Sequence, residues 1–286
     1  MLYKGILMMV CMLCIQTIVF GGNTASTIYI NSGVHTNFDG SLIQLKAFNP
    51  SPTFTNRNVQ LTTGIGDTIF LQVINTDVIE HGFDVKWLSG LRDTIPAGDT
   101  INVEITSASL GLFIYYDHMN APDQAYLGLS GIIAVGVNSN SFYWNIKDHE
   151  LGLNDSIMSG GMVDWSTYYP DYFTINGNSH PSINLDTTAR VTGSIGDTIL
   201  IFIANTGQAE HSLHFHGYHS EILYSSARPV EVGRSKDTFP VKVMEAVILR
   251  MIPDQVGEYP VHDHNLLSVT GGGLYPFGMF STILIQ

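Results

Sequence analysis

From residue 27 to the C-terminus the chain alternates short apolar runs with clusters of Gly, Asn, Asp and Pro, and no long stretch keeps a helical period. Runs such as TIFLQVIN (Thr68 to Asn75), GIIAVGV (Gly131 to Val137), TILIFIAN (Thr198 to Asn205), AVILRMI (Ala246 to Ile252) and the terminal FSTILIQ have the length and β-branched content of strands. The pattern predicts an all-β chain whose strands are buried in sandwiches.

An internal repeat sets the number of sandwiches. IGDTIFLQVINTDVIEH, from Ile65 to His81, aligns without a gap on IGDTILIFIANTGQAEH, from Ile195 to His211. GLFIYYDH, Gly111 to His118, aligns on GEYPVHDH, Gly257 to His264. Two copies of one β-sandwich are therefore expected, over residues 27–137 and 170–286. A linker rich in Asn, Ser, Gly and Asp is expected over 138–169.

The N-terminus reads differently. One Lys precedes an apolar run from Ile6 to Phe20 that is short for a membrane span and ends in small residues. Residues 1–21 are read as a signal peptide, with cleavage between 21 and 26, and the protein as secreted or periplasmic. Cys11 and Cys14, the only two cysteines, would leave with it, so neither a disulfide nor a thiolate metal ligand is expected in the mature chain. The net charge of −13 argues against nucleic-acid or membrane-surface partners and favours cations.

The candidate chemistry is histidine. EHSLHFHGYH holds His211, His214, His216 and His219, and EYPVHDHN holds His262 and His264. On a strand each His-x-His puts two imidazoles on one face, about 7 Å apart along the chain. Two facing pairs make a metal site, and neutral imidazoles with an open position suit copper or zinc. The isolated His35, His149, His180 and His219 are read as packed or solvated side chains.

AFNPSPTF…GIGDTI, YYPDYFTINGNSHPS, HSLHFHG and the HDH…GM ending together resemble the multicopper oxidases, proteins built of cupredoxin domains. The resemblance covers nearly the whole mature chain. It implies two cupredoxin-like Greek-key β-sandwiches in the layout of two-domain laccases and copper nitrite reductases. It also implies a homotrimer with the site between domain 1 of one subunit and domain 2 of the next.

Carried onto this sequence, the resemblance places Asp263 where the blue-copper Cys would stand, with Asp117 as its domain 1 counterpart and Ser268 at the second blue-copper His. Met279 matches the axial Met if an insertion is allowed. His81 with Asp117, and His211 with Asp263, are expected to form buried His–Asp hydrogen bonds in place of a copper link. Of the positions that hold a trinuclear copper cluster in the family, His214, His216, His262 and His264 remain in domain 2, whereas domain 1 has Asp84, Lys86, Tyr116 and His118. His118, His216 and His262 make up one complete three-imidazole position. The Lys86 ammonium is expected to disfavour a second metal ion. Three roles stay open for Asp84: ligand, proton donor or partner of Lys86. Tyr115, Tyr116 and Trp87 are read as packing residues before redox relays.

The expected function is therefore that of a copper oxidoreductase with a mono- or dinuclear His-ligated site, acting on a small-molecule reductant or oxidant, with Asp84, His214 and His264 as proton donors. The alternatives are a non-catalytic copper-binding or storage protein and a zinc hydrolase at the same histidines. Without a thiolate ligand, copper-loaded protein should lack the intense blue absorption of a copper–thiolate bond. An absorption titration checks this, and a blue band would contradict the reading of Asp263.

Overall fold

The computed structural model describes residues 22–88, 90–119 and 121–286; the expected signal peptide and both cysteines lie outside them. Nine strands form the first sandwich: β1 (Thr24–Thr36), β2 (Leu42–Asn49), β3 (Gln60–Thr63), β4 (Thr68–Asn75), β5 (His81–Lys86), β6 (Asp93–Ile95), β7 (Thr100–Thr106), β8 (Gly111–Tyr116) and β9 (Ser130–Val135). A single helical turn, α1 (Asp123–Tyr126), precedes β9. The strands pair as one sheet in the order β2-β1-β4-β7 and a second in the order β3-β9-β8-β5-β6. The second sandwich is built from β10 (Ser141–His149), β11 (Tyr172–Ile175), β12 (Thr192–Gly193), β13 (Ile199–Asn205), β14 (His211–Phe215), β15 (Ser220–Ser225), β16 (Ser235–Lys236), β17 (Thr238–Val241), β18 (Glu245–Met251), β19 (Gly257–Asp263) and β20 (Phe280–Ile285). Its sheets run β11-β10-β13-β18-β15-β16 and β12-β20-β19-β14-β17.

The repeat is visible in the pairing. β1 runs parallel to β4 as β10 does to β13, and β3 runs parallel to β9 as β12 does to β20. The shared Asn-Thr step performs one task in both copies. Asn75 Nδ2 donates to the carbonyls of Ile79 and Ile95, and Asn205 Nδ2 to those of Ala209 and Val241, tying the end of one sheet to the other.

The linker prediction requires correction. Residues 141–149, which fall within the expected 138–169 linker, form β10 inside the domain 2 sheet, and the helix α2 (Leu151–Met158) comes directly after it. The polar flanks of SFYWNIKDH conceal a strand whose Trp144 and Ile146 are fully buried in the core. A further boundary shifts too: β1 begins at Thr24, ahead of residue 27.

Equivalent strands differ because the two domains pack on each other. β4 alternates buried and more open positions, whereas β13 is buried at every residue. Ile199, Ile201 and Ile203 face the domain 2 core beside Trp144 and Phe215. Leu200, Phe202 and Ala204 face the other way and join Ala246 and Ile248 against Leu112, Ile114, Ile132 and Ala134 of domain 1. A strand covered on both faces reads as a continuous apolar run, which is why TILIFIAN does not alternate. Four sheets are thereby stacked, with β12-β20-β19-β14-β17 on the side of domain 2 turned away from domain 1.

The domain interface should carry a large share of the stability. Phe202→Ala removes a fully buried ring and is expected to cost about 3–5 kcal/mol in chemical denaturation; a change below about 1 kcal/mol would show that the interface is dispensable.

Candidate metal centre

Asp263 sits at the end of β19 with its side chain turned inward and no exposed surface. Its Oδ2 meets His211 Nδ1 at 2.6 Å, and its Oδ1 accepts from the backbone N–H groups of Ser212 and Asn265, each at 3.0 Å. Domain 1 repeats the arrangement. Asp117 Oδ2 meets His81 Nδ1 at 2.7 Å, and Oδ1 accepts from Gly82 N at 2.7 Å and Met119 N at 2.8 Å. The two expected His–Asp bonds are therefore present. Each carboxylate also fastens the strand that carries the His to the loop beyond its own strand. In domain 2 the backbone of Ser268, Met279 and Asp263 is tied together, since Met279 N donates to Ser268 O and Asp263 N to Met279 O.

Each imidazole has a second carboxylate, which the sequence reading missed. His81 Nε2 lies 3.1 Å from Asp77 Oδ2, and His211 Nε2 lies 3.1 Å from Asp148 Oδ2. The two acids come from different places. Asp77 belongs to the loop after β4, and its counterpart in the repeat is Gly207; Asp148 belongs to β10. A Cβ at Gly207 would overlap the Asp148 carboxylate, so the lost loop acid and the gained strand acid occupy the same space. The Asp77-to-Gly207 mismatch in the repeat was the available signal.

Asp148 also accepts from Gln208 N, Ala209 N and the Tyr168 hydroxyl, giving a buried chain Tyr168–Asp148–His211–Asp263. Burial alone would lower the His211 value, but the hydrogen bonds to Asp148 and Asp263 push it up to about 9. Burial would raise the Asp148 value, but the bond from His211 outweighs it and holds the carboxyl below its usual range.

Because Asp263 points inward, β-alternation turns His262 and His264 to the outer face, where His214 of β14 and His216, just after its end, also stand. The four rings cluster. His216 Nε2 and His262 Nε2 are 3.1 Å apart, and the His214 ring centroid lies 4.6 Å from that of His216, 5.7 Å from His262 and 5.6 Å from His264. His262 Nδ1 donates to Asp263 O at 2.8 Å, which leaves its Nε2 lone pair free. Thr238 donates its hydroxyl to Asp237 and accepts from His214 Nδ1 at 2.9 Å, which frees His214 Nε2 as well. Such outer partners fix the tautomer a metal ligand needs. The sequence missed Thr238 and Asp237 because the pairing of β14 with β17 places Thr238 opposite His214 across 24 residues.

Domain 1 positions are spread differently. Asp84 pairs with Tyr116 Oη at 3.2 Å and Arg92 at 3.6 Å, and not with Lys86. Lys86 Nζ instead donates to Met244 O of domain 2 at 3.0 Å and lies over the Trp87 ring. Its expected role as an ammonium in a second metal position gives way to an interdomain contact. Tyr115 packs in the core and donates to Val59 O. His118 lies over Gly82, where any Cβ would overlap its ring, and its buried Nδ1 has no hydrogen-bond partner among the described residues. Burial, then Arg92, lower its pKa and favour the neutral, ligating form.

Within one chain His118 and the domain 2 histidines do not meet. The two sheets of domain 2 separate them, about 20 Å at the usual sheet spacing. Among the described residues no three His, Cys, Asp or Glu side chains already surround one point in ligating geometry. The donor set nevertheless fits a metal ion. At a metal–nitrogen distance of about 2.0 Å, two ligands at tetrahedral to right angles stand roughly 2.8–3.3 Å apart, and the His216–His262 separation of 3.1 Å falls in that range. Burial, then His214 and His262, lower the pKa of His216 and favour its neutral form.

The chain resembles the multicopper oxidases. Residues 155–276 match that family, which implies copper. Solved structures share the fold over nearly the whole chain. The multicopper oxidase mgLAC has 19% identity and a TM-score of 0.76, covering 93% of this chain and 87% of its own. The blue copper oxidase from Nitrosomonas europaea has 20% identity and a TM-score of 0.75, covering 92% and 86%. The copper nitrite reductase from Nitrosomonas europaea has 17% identity and a TM-score of 0.71, covering 92% and 94%. No curated protein matches the sequence. The multicopper oxidase-like fold places His211 and Asp263 in the domain core and His214, His216, His262 and His264 on the face turned from domain 1.

The buried clamp makes stability depend on pH. His211 binds its proton more tightly folded than unfolded, so its contribution is complete below its unfolded value near 6.5 and is lost as pH rises through about 9. Asp148, with its value depressed, contributes above its unfolded value near 3.8 and loses that contribution as pH falls through its folded value. Urea melts should show stability declining from pH 6.5 to 9. Asp148→Asn should cost about 3–5 kcal/mol at pH 7 and flatten that decline; an unchanged slope would contradict the assignment.

Proposed function

We propose that the protein is a copper-binding oxidoreductase of multicopper oxidase-like fold, with a reduced, histidine-only copper site and no blue copper. The observation that carries the reading is the His216–His262 pair, two nitrogens 3.1 Å apart beside His214 on an exposed face. His216, His262 and His118 of a neighbouring copy would hold the copper, with His214 and His264 beside it. This arrangement explains why His118 lies on a different sheet from its partners, and it calls for a homotrimer. Bound copper would supply one-electron redox chemistry toward a small-molecule reductant or oxidant.

The chain's own groups would manage protons and orientation. His214 is held by Thr238 and Asp237 with Nε2 free, and is placed to give or take a proton beside the ligand pair. His264 stands exposed on the same face. Asp84, joined to Tyr116 and Arg92, would be the acidic group from the neighbouring domain 1. The expected signal peptide would take the protein to the periplasm or outside the cell.

Copper titration in competition with zinc, read by electron paramagnetic resonance, tests the reading. Nitrogen-ligated Cu(II) is expected, bound in preference to zinc. Thr238→Ala, which releases His214 and not a ligand, should change copper affinity little and slow turnover instead. His216→Ala or His262→Ala should weaken copper binding, and His264→Ala should weaken it less. Equal loss at His264 would show a dinuclear site. Tight copper without turnover of a small reductant would favour a storage protein, and a monomeric copper form would remove His118 from the site.

A further inference from the structure

A small cavity of mixed polar and apolar lining lies beside the edge strands β2 and β11 of the two sandwiches, away from the histidine face. It is walled by His35 of β1, Lys46 of β2, Lys147 and His149 of β10, and Tyr172 and Thr174 of β11. Its volume of about 20 Å³ holds one water-sized or halide-sized occupant. We propose that this cavity binds one small monovalent anion of halide size, with the Lys147 ammonium as its counter-charge.

Charge and hydrogen-bond accounting lead there. The Lys46 ammonium is taken by Asp77 at 2.7 Å. Lys147 is 4% exposed, and its one hydrogen bond goes to the Ser130 hydroxyl, which in turn donates to Ala125 O. The carboxylate beside it in sequence, Asp148, points through the opposite face of β10 to His211. One ammonium with unused donors is therefore buried without a carboxylate, an arrangement that is costly unless an anion completes it. Burial, only partly offset by Asp148, pulls Lys147 down to about 7, which reflects the same cost.

The other walls add donors. His149 is 4% exposed, and its Nδ1 is buried without a partner among the described residues, as is the Thr174 hydroxyl. Burial keeps His149 neutral, pushing it down to about 3, so it offers one N–H. A single uncompensated ammonium sets the charge of the guest at one. None of this depends on the proposed copper chemistry.

Bromide is the probe, because it scatters anomalously and can replace sulfate at constant ionic strength. Crystals of the full protein soaked in bromide should show an anomalous peak beside Lys147 Nζ. In solution, exchanging sulfate for bromide should raise Tm and then saturate, by roughly 3 °C at tenfold excess over Kd. Lys147→Met, which keeps side-chain length without charge, should abolish the rise. Thr174→Val removes one donor with little change in volume and should raise the half-saturating bromide concentration several-fold, which keeps the test open if Lys147→Met does not fold. An empty or water-filled cavity at saturating bromide, or a full bromide effect in Lys147→Met, would overturn the proposal.

Discussion

The contact between His211 and two buried carboxylates sets the direction of the side chains around it in domain 2. Asp263 is held inward by His211 Nδ1 and by two backbone N–H groups, so its sequence neighbours have one direction left. His262 and His264 therefore reach the outer face of β19 opposite His214 and His216. An imidazole with a carboxylate on each nitrogen has both donors satisfied and no lone pair to offer a metal while it stays charged. The same contact thus arranges the outer histidines and closes the inner position.

Domain 1 shows that this is a pattern of the fold and not an accident of one loop. His81 sits between Asp117 and Asp77 as His211 sits between Asp263 and Asp148. One acid is constant between the copies and the other has moved from a loop to a strand, with Gly207 clearing the space. What differs is the other face of the sheet that carries each pair. In domain 1 the positions matching the histidines carry Asp84, Lys86 and Tyr116, whose contacts are Arg92, Met244 and each other. Among the described residues His118 keeps an unpartnered ring nitrogen there.

Much of this was readable in sequence because it is local or repeated. The all-β class, the two copies and the inward partners of His81 and His211 all derive from the repeat and from alternation. The outward direction of the four domain 2 histidines derives from the same two features. The rest depends on contacts between distant strands. Asp148 and Lys147 lie in a stretch whose Asn, Ser and Asp content mimics a linker, and only pairing of β10 with β13 shows that it is core. Thr238 becomes an orienting partner by strand register, and Lys86 finds Met244 across 158 residues. His149, read as a packed side chain, is packed, but with a buried nitrogen that no described residue satisfies.

The central claim is that the core positions of His211 and His81 are closed by carboxylates and that metal chemistry is confined to the outer histidine face. Diffraction at the copper absorption edge from copper-loaded crystals tests it most directly. The account predicts an anomalous peak at His216 and His262 and none between His211 and Asp263 or between His81 and Asp117. Copper density at either inner position, or its absence from the outer face, would contradict it.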